Sequence, residues 1–268
     1  TFYFSIYHIV MFIEEKKIDE LINISHIAGK EILRIYNTKI TKKIKKDRSP
    51  VTNADIAANK IICREIRKLY PEIPIISEES KKINLRKSKT FWLIDPLDGT
   101  KEFLKRNGEF TVNIALINNK KPVFGIIYMP INSVIYFTKN KKSYSGKLKS
   151  NGTLSKVKVI KTKKRKRNVM VVSRSHNLKQ SEIKKKKASF LNKFNSNKLI
   201  QSGSSVKFCL IASGIANIYP RYGTTMEWDT AAGDAILRNA GGRVVNLDRR
   251  TIKYGKKDFK NKSFIAKG

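Results

Sequence analysis

Helices and strands that alternate along the chain predict a layered α/β or α+β protein. Two patterns carry this expectation. Apolar residues recur at three- and four-residue spacing over Ile18 to Ile35 and again over Ala58 to Leu69, as one-sided helices require. Among and beyond them stand short β-branched or aromatic runs such as Phe91 to Ile94 and Thr111 to Ile117. Composition agrees: 268 residues with 40% hydrophobic side chains can bury a large core, as one domain or two lobes, and exclude wholesale disorder.

Thr1 to Val10 is apolar and aromatic, yet even extended to Ile13 it is too short to span a bilayer. It lacks the basic start and small-residue cleavage site of a signal peptide, so Met11 is read as the natural start and residues 1–10 as an upstream extension. The first helix follows, with Ile18, Leu21, Ser25, Ala28, Ile32 and Ile35 as its inner stripe. After the basic loop Lys42 to Arg48, Ser49 to Thr52 is extended, and Thr52 or Asn53 caps a second helix that runs to Tyr70. Ile75-Ile76 is a short strand ending in Ser77-Glu78-Glu79. Phe91 to Ile94 is another, running straight into Asp95-Pro96-Leu97-Asp98-Gly99-Thr100. Thr111 to Ile117 and Val123 to Tyr128 flank Asn118-Asn119-Lys120-Lys121 as a hairpin. The Lys- and Ser-rich stretch Lys139 to Arg167 is the expected boundary between lobes of about 11–145 and 150–268. A strand over Val169 to Ser173, a helix near Ser205 to Ser213 and a helix from Asp229 to a stop at Gly241-Gly242 complete the order.

Charge sets this chain apart. Its 57 Lys+Arg face only 21 Asp+Glu, a net charge of +36. That balance suits nucleic acid or an anionic membrane. The runs Lys163-Lys164-Arg165-Lys166-Arg167 and Lys184 to Lys187 carry no interleaved aromatics for base stacking, so they read as solvated faces in a composition rich in Lys, Ile and Asn. No specific nucleic acid is expected; peripheral contact with the anionic cytoplasmic face of an inner membrane is compatible with the charge. Two cysteines, Cys63 and Cys209, cannot build a disulfide framework, and with only three histidines in the chain they point to a thiol-reduced, cytoplasmic setting and away from His/Cys metal chemistry. Both cysteines read as small core fillers.

In so acid-poor a chain the carboxylates are informative. Glu78 follows an apolar strand, Asp95 follows another, and Asp98 sits three residues on in a Pro-Gly turn. Rigid sheets present functional groups at such strand ends, and hard cations such as Mg²⁺ take oxygen ligands. The Gly99 and Thr100 amides at the start of a helical turn suit a bound anion. Taken singly, each feature has a plainer explanation: a β-turn for D-P-x-D-G, a solvated pair for Glu78-Glu79, an N-cap for Asp229. Together with Trp228-Asp229-Thr230-Ala231-Ala232-Gly233 they describe a phosphoryl-transfer site.

Ser77-Glu78-Glu79, the run Trp92 to Phe103 and Trp228 to Gly233 resemble the lithium-sensitive, Mg²⁺-dependent phosphatases of the inositol monophosphatase superfamily. Arg106 to Ile117, Ser173-Arg174-Ser175-His176 and Gly203 to Cys209 resemble its bacterial 3'(2'),5'-bisphosphate nucleotidase branch most closely. The likeness runs from about Met11 to the C-terminus. It implies a layered α-β-α-β-α sandwich with the site between the lobes. It implies two or three Mg²⁺ ions: Glu78, Asp95 and the Leu97 carbonyl on one, and Asp95, Asp98 and Asp229 on a second. Asp98, Gly99, Thr100 and Lys101 would cradle the scissile phosphate, and Asp55 with Thr100 would orient or deprotonate the attacking water. His176, Ser204, Lys207 and Arg221 would contact the adenosine and its remaining 5'-phosphate.

The activity so implied is removal of the 3'-phosphate of adenosine 3',5'-bisphosphate, a by-product of sulfate assimilation, with inhibition by Li⁺. These residue types suit metal-activated water and in-line attack, with no side-chain nucleophile. An inositol or fructose-bisphosphate phosphatase on the same scaffold is the nearest alternative. A basic nucleic-acid- or membrane-surface-binding protein is the alternative from another class.

Overall fold

The structure, a computed structural model, describes residues 13, 15–45, 49–80, 88–174 and 191–268. The upstream stretch 1–10, Met11, the run Lys184 to Lys187 and His176 lie outside the described residues.

Helix α1 (Glu15–Tyr36) and helix α2 (Asn53–Leu69) form the first layer. Every member of the expected α1 stripe is buried, from Ile18 to Ile35, and α2 contributes Ala58, Ile62 and Ile66. A two-stranded hairpin, β1 (Lys42–Ile44) with β2 (Pro50–Thr52), joins them. Thr52 is the α2 N-cap in a capping box with Asp55, and the helix stops at Leu69, one residue short of the expected end.

Both helices pack on one face of a seven-stranded sheet. In spatial order it runs β3 (Ile75–Ser77), β4 (Thr90–Asp98), β5 (Thr111–Asn118), β6 (Lys121–Met129), β7 (Val134–Lys139), β8 (Lys142–Leu148) and β9 (Leu154–Ile160). Its inner strands β4 and β5 are buried on both faces, which explains their continuous apolar runs in place of alternation. Trp92 and Ile94 point into the α1–α2 core, whereas Phe91 and Leu93 point into the opposite one. That second core holds helices α4 (Val206–Ala212) and α5 (Ala231–Asn239), followed by a five-stranded sheet. The sheet's order is β11 (Ser196–Ser202), β10 (Asn168–Ser173), β12 (Ile218–Arg221), β16 (Phe264–Lys267) and β14 (Arg243–Asn246). Helix, sheet, helix, sheet is the layer order among the described residues. The short α3 (Thr100–Leu104) follows β4, and β13 (Thr225–Met226) pairs with β15 (Lys260–Asn261) near the start of α5. Among the described residues no helix is long and apolar enough to cross a membrane.

Two expectations from the sequence are corrected. Lys139 to Arg167 does not interrupt the first sheet, since β8 and β9 extend it to Ile160. Strand β8 buries its small residues, and Ser143 Oγ donates to the Ile236 carbonyl at 2.6 Å, so the serines serve packing. Lys156 and Lys158 stand exposed on the edge strand, where charge discourages pairing with another chain. Helix α5 begins at Ala231 and not at Asp229: Thr230 is its cap, and Asp229 Oδ2 accepts from the Met226 amide at 2.8 Å. The expected stop at Gly241-Gly242 is a Schellman ending, with Gly241 at φ +97 and the Gly242 amide donating to the Leu237 carbonyl at 2.8 Å.

The small residues of Ala231-Ala232-Gly233 let α5 lie directly on β6. A Cβ at Gly125 would stand 2.5 Å from the Ala232 carbonyl oxygen and 3.0 Å from its Cα. Gly125→Ala is expected to cost about 1–3 kcal/mol through overpacking. The urea unfolding midpoint reads this, and an unchanged midpoint would contradict so close an approach.

Candidate active site

Strand pairing sets the site. β3 and β4 run parallel with Ser77 opposite Ile94, and the Glu78 amide continues the ladder onto the Ile94 carbonyl at 3.1 Å. Parallel strands end at the same edge, so Glu78 and Asp95 must emerge side by side. β5 runs antiparallel to β4 with Asn113 opposite Asp95; an irregularity then carries Pro96 and Leu97 out of register before Asp98 meets Thr111. Asp229 arrives from the other side, on the turn before α5. One oxygen from each of Glu78, Asp95 and Asp229 lies within 4.8 Å of the others. Asp98 stands beside this trio and accepts from Asn113 Nδ2 at 3.4 Å.

This crowding is unfavourable by itself. Like charges at such spacing repel by on the order of 3–4 kcal/mol per pair at an effective dielectric near 20. Burial raises the carboxyl pKa of Asp95 and Asp229 well above the usual range, and the neighbouring carboxylates push both further in the same direction. Burial also raises Asp98 to about 6, against the opposing pull of Lys207. Lys45, from the loop after β1, reaches Glu78 at 2.7 Å and Glu79 at 2.5 Å. Burial pulls its ammonium pKa down, but the two carboxylates more than offset this and hold it above the usual lysine value. Glu79 nevertheless sits above the usual carboxylate range, because burial outweighs Lys45 there.

The trio offers oxygen donors only, buried or half-buried, with an excess of negative charge that a hard divalent cation would neutralise. Such residues fit Mg²⁺ and do not suit zinc, which prefers nitrogen and sulfur. The Leu97 carbonyl oxygen lies nearby, 3.3 Å from Thr100 Oγ1.

Asp55 and Thr100 do meet. Thr100 Oγ1 stands 3.2 Å from Asp55 Oδ1, while Asp55 Oδ2 accepts from the Thr52 amide at 2.8 Å and from its hydroxyl at 2.5 Å. The capping box thus fixes one carboxylate oxygen and aims the other at Thr100. Burial raises the Asp55 pKa despite these bonds, which suits a proton acceptor. Gly99 sits at φ +93, and a Cβ there would meet the Glu109 carbonyl at 2.9 Å, so the turn needs glycine.

A cleft opens from this edge. Asp98, Gly99, Lys101, Glu102 and Asp229 line it, together with Arg174, Ser204, Lys207 and Arg221. Lys207 is buried, and burial lowers its pKa to about 8; its ammonium donates to the Ser204 carbonyl and lies 5.3 Å from the Tyr219 ring centroid. Arg221 Nη1 donates to Ser173 Oγ at 3.0 Å. Ser204 Oγ, Arg221 Nε and Thr225 Oγ1 are buried without a hydrogen-bond partner, and all three residues line the cleft. Buried polar atoms normally find partners, so this concentration marks a place for a polar ligand. Sequence reasoning assigns no role to Lys45, Glu109, Arg174 or Thr225. Glu109 and Arg174 stood in recognised stretches, but their pairing across distant segments leaves no local signal.

The chain matches the Inositol monophosphatase family over residues 14–268, and it belongs to that family. It is 42% identical to the 3'(2'),5'-bisphosphate nucleotidase CysQ of Buchnera aphidicola, over 94% of this chain and 93% of the relative. Identity to the CysQ of Escherichia coli K12 is 39%, over 92% and 98% of the two chains. The crystal structure of CysQ from Bacteroides thetaiotaomicron superposes with a TM-score of 0.80 at 37% identity, covering 96% of this chain and 98% of the other. The inositol monophosphatase of Thermotoga maritima, at 21% identity and TM-score 0.75 over 94% and 92% of the two chains, shares the fold.

A carboxyl whose pKa is raised on folding binds its proton more tightly in the folded state. Its stabilising effect is therefore present at low pH and lost as pH climbs from the ordinary value near 3.8 to about 6 for Asp98, and higher for Asp95 and Asp229. Mg²⁺ should replace those protons. A hundredfold excess over Kd adds about 3 kcal/mol, or roughly 5–10 °C in Tm, at pH 8, and much less at pH 5. Thermal melts with Mg²⁺ and with EDTA check this, and an equal shift at both pH values would contradict it.

Proposed function

We propose that the protein hydrolyses the 3'-phosphate of adenosine 3',5'-bisphosphate to AMP and inorganic phosphate, using two or three Mg²⁺ ions. The observation that carries this reading is a trio of convergent carboxylates, one of which, Asp229, lines a cleft that also holds Arg174, Lys207 and Arg221. A substrate with two phosphates needs both features: carboxylates to hold cations at the ester under attack, and cationic side chains for the phosphate that stays. Relatives at 39–42% identity that bear the name bisphosphate nucleotidase support this substrate over an inositol phosphate.

Glu78, Asp95 and Asp229 would hold metal, joined by Asp98 and the Leu97 carbonyl. When bound, the cations supply Lewis acidity toward phosphate oxygens and acidify water. Thr100 Oγ donates to Asp55, which leaves its lone pairs to accept a hydrogen from the attacking water and aim that water at phosphorus. Asp55, buried and raised in pKa, is the base at the end of this relay. The Gly99 and Thr100 amides and Lys101 would steady the phosphate oxygens. Lys207, Arg221 and Ser204 would bind the 5'-phosphate and nucleoside, with His176 as a further contact. Inhibition by Li⁺ and a place in sulfur assimilation belong to the same proposal.

Phosphate release from adenosine 3',5'-bisphosphate and from inositol 1-phosphate, each with Mg²⁺ and with EDTA, tests the proposal. The nucleotide should be preferred and Mg²⁺ required, and Asp98→Asn should lower kcat by roughly 10²–10³-fold. Preference for the inositol ester, or an active Asp98→Asn variant, would overturn it.

A further inference from the structure

Glu109 lies between α3 and β5, outside the carboxylates assigned to metal, and the hydrolytic steps leave it without a role. Its Oε2 accepts from Arg174 Nε at 2.6 Å and from the Gly203 amide at 2.7 Å, and its Oε1 accepts from Arg174 Nη2 at 2.6 Å. One carboxylate thus ties together three segments: the approach to β5, the residue after β10, and the turn between β11 and α4. The pinned turn carries Ser204 at φ +43, with its buried, unpartnered Oγ. Arg174 and Ser204 line the same cleft as Lys207 and Arg221.

We infer that Glu109 is a positioning residue for substrate selection, and that the Arg174 it holds contacts the second phosphate of the substrate. The inference rests on the proposed function and adds to it two residues and a division of labour. The Arg174 side chain is 41% exposed, and without a partner it would sample many rotamers. The bidentate pair fixes its Nε–Nη2 edge and leaves Nη1 outside the pair as a donor to a phosphate oxygen. Ordering is thereby completed before the ligand arrives, which favours affinity. Lys207 and Arg221 supply net positive charge, and Arg174 supplies direction. The bond from the Gly203 amide holds the Ser204 hydroxyl in the same frame. Arg174 in turn keeps the Glu109 carboxyl below the usual carboxylate range, so the pair stays ionised through neutral pH.

A merely structural ion pair would affect all ligands alike, whereas a phosphate contact distinguishes ligands by that phosphate. Calorimetric binding of AMP, which keeps the 5'-phosphate, is compared with binding of adenosine in wild type, Arg174→Met, Arg174→Lys and Glu109→Gln. The ratio of kcat/KM for adenosine 3',5'-bisphosphate over 3'-AMP is measured beside it. Arg174→Met is expected to lower both ratios about tenfold or more, and Glu109→Gln about threefold or more. Arg174→Lys, with the charge but not the fork, should recover only part of the loss. Ratios unchanged from wild type, or full recovery in Arg174→Lys, would overturn the inference, as would a wild type that does not prefer AMP to adenosine. Wild-type hydrolysis of adenosine 3',5'-bisphosphate tests the proposed function separately, and the AMP-to-adenosine ratio remains readable whether or not that nucleotide is a substrate.

Discussion

Carboxylates that repel one another are held together here by backbone hydrogen bonds. Glu78 and Asp95 are neighbours because β3 and β4 are parallel and in register, and no side-chain attraction brings them there. Asp229 joins them because α5 is seated on β6 through Gly125 and Ala232, and because the Met226 amide turns its carboxylate. The fold tolerates the repulsion through Lys45, through protons on raised carboxyls, or through a metal ion. That frustration would be the source of the proposed cation affinity: a site already relaxed without a cation would have little to gain from one.

A second consequence is separation of charge within one cleft. Acid concentrates at the strand ends of the seven-stranded sheet, while Arg174, Lys207 and Arg221 come from the β10, β12 and α4 side. In a chain of +36 the acidic cluster is the exceptional feature, and it lies where strand geometry places it. Much of the remaining positive charge is elsewhere. Arg165, Lys166, Arg167 and Lys198 line a separate groove beside β10 and β11, with no acidic residue among the described residues of its lining.

The helices were legible because burial imposes a period. Ile18, Leu21, Ala28 and Ile32 can all be read from spacing, and all are buried. The inner strands were legible from apolar runs bounded by acid, and the acids themselves from their scarcity. Less legible was anything decided by tertiary partners. Lys139 to Arg167 resembles a linker because edge-strand lysines and packed serines share the composition of a loop. Asp229 resembles a cap because its true partner, the Met226 amide, lies upstream of the helix it precedes. Lys45 is one of many lysines until the loop after β1 folds onto Glu78, and the Glu109–Arg174 pair spans 65 positions of sequence.

Mn²⁺ substitutes for Mg²⁺ at oxygen-rich sites and scatters anomalously, so its position can be read directly. Crystals of the protein grown with Mn²⁺ should show an anomalous peak among Glu78, Asp95 and Asp229, with Lys45 withdrawn from Glu78. An empty trio with Lys45 still paired to Glu78, at Mn²⁺ concentrations that support turnover, would contradict the account.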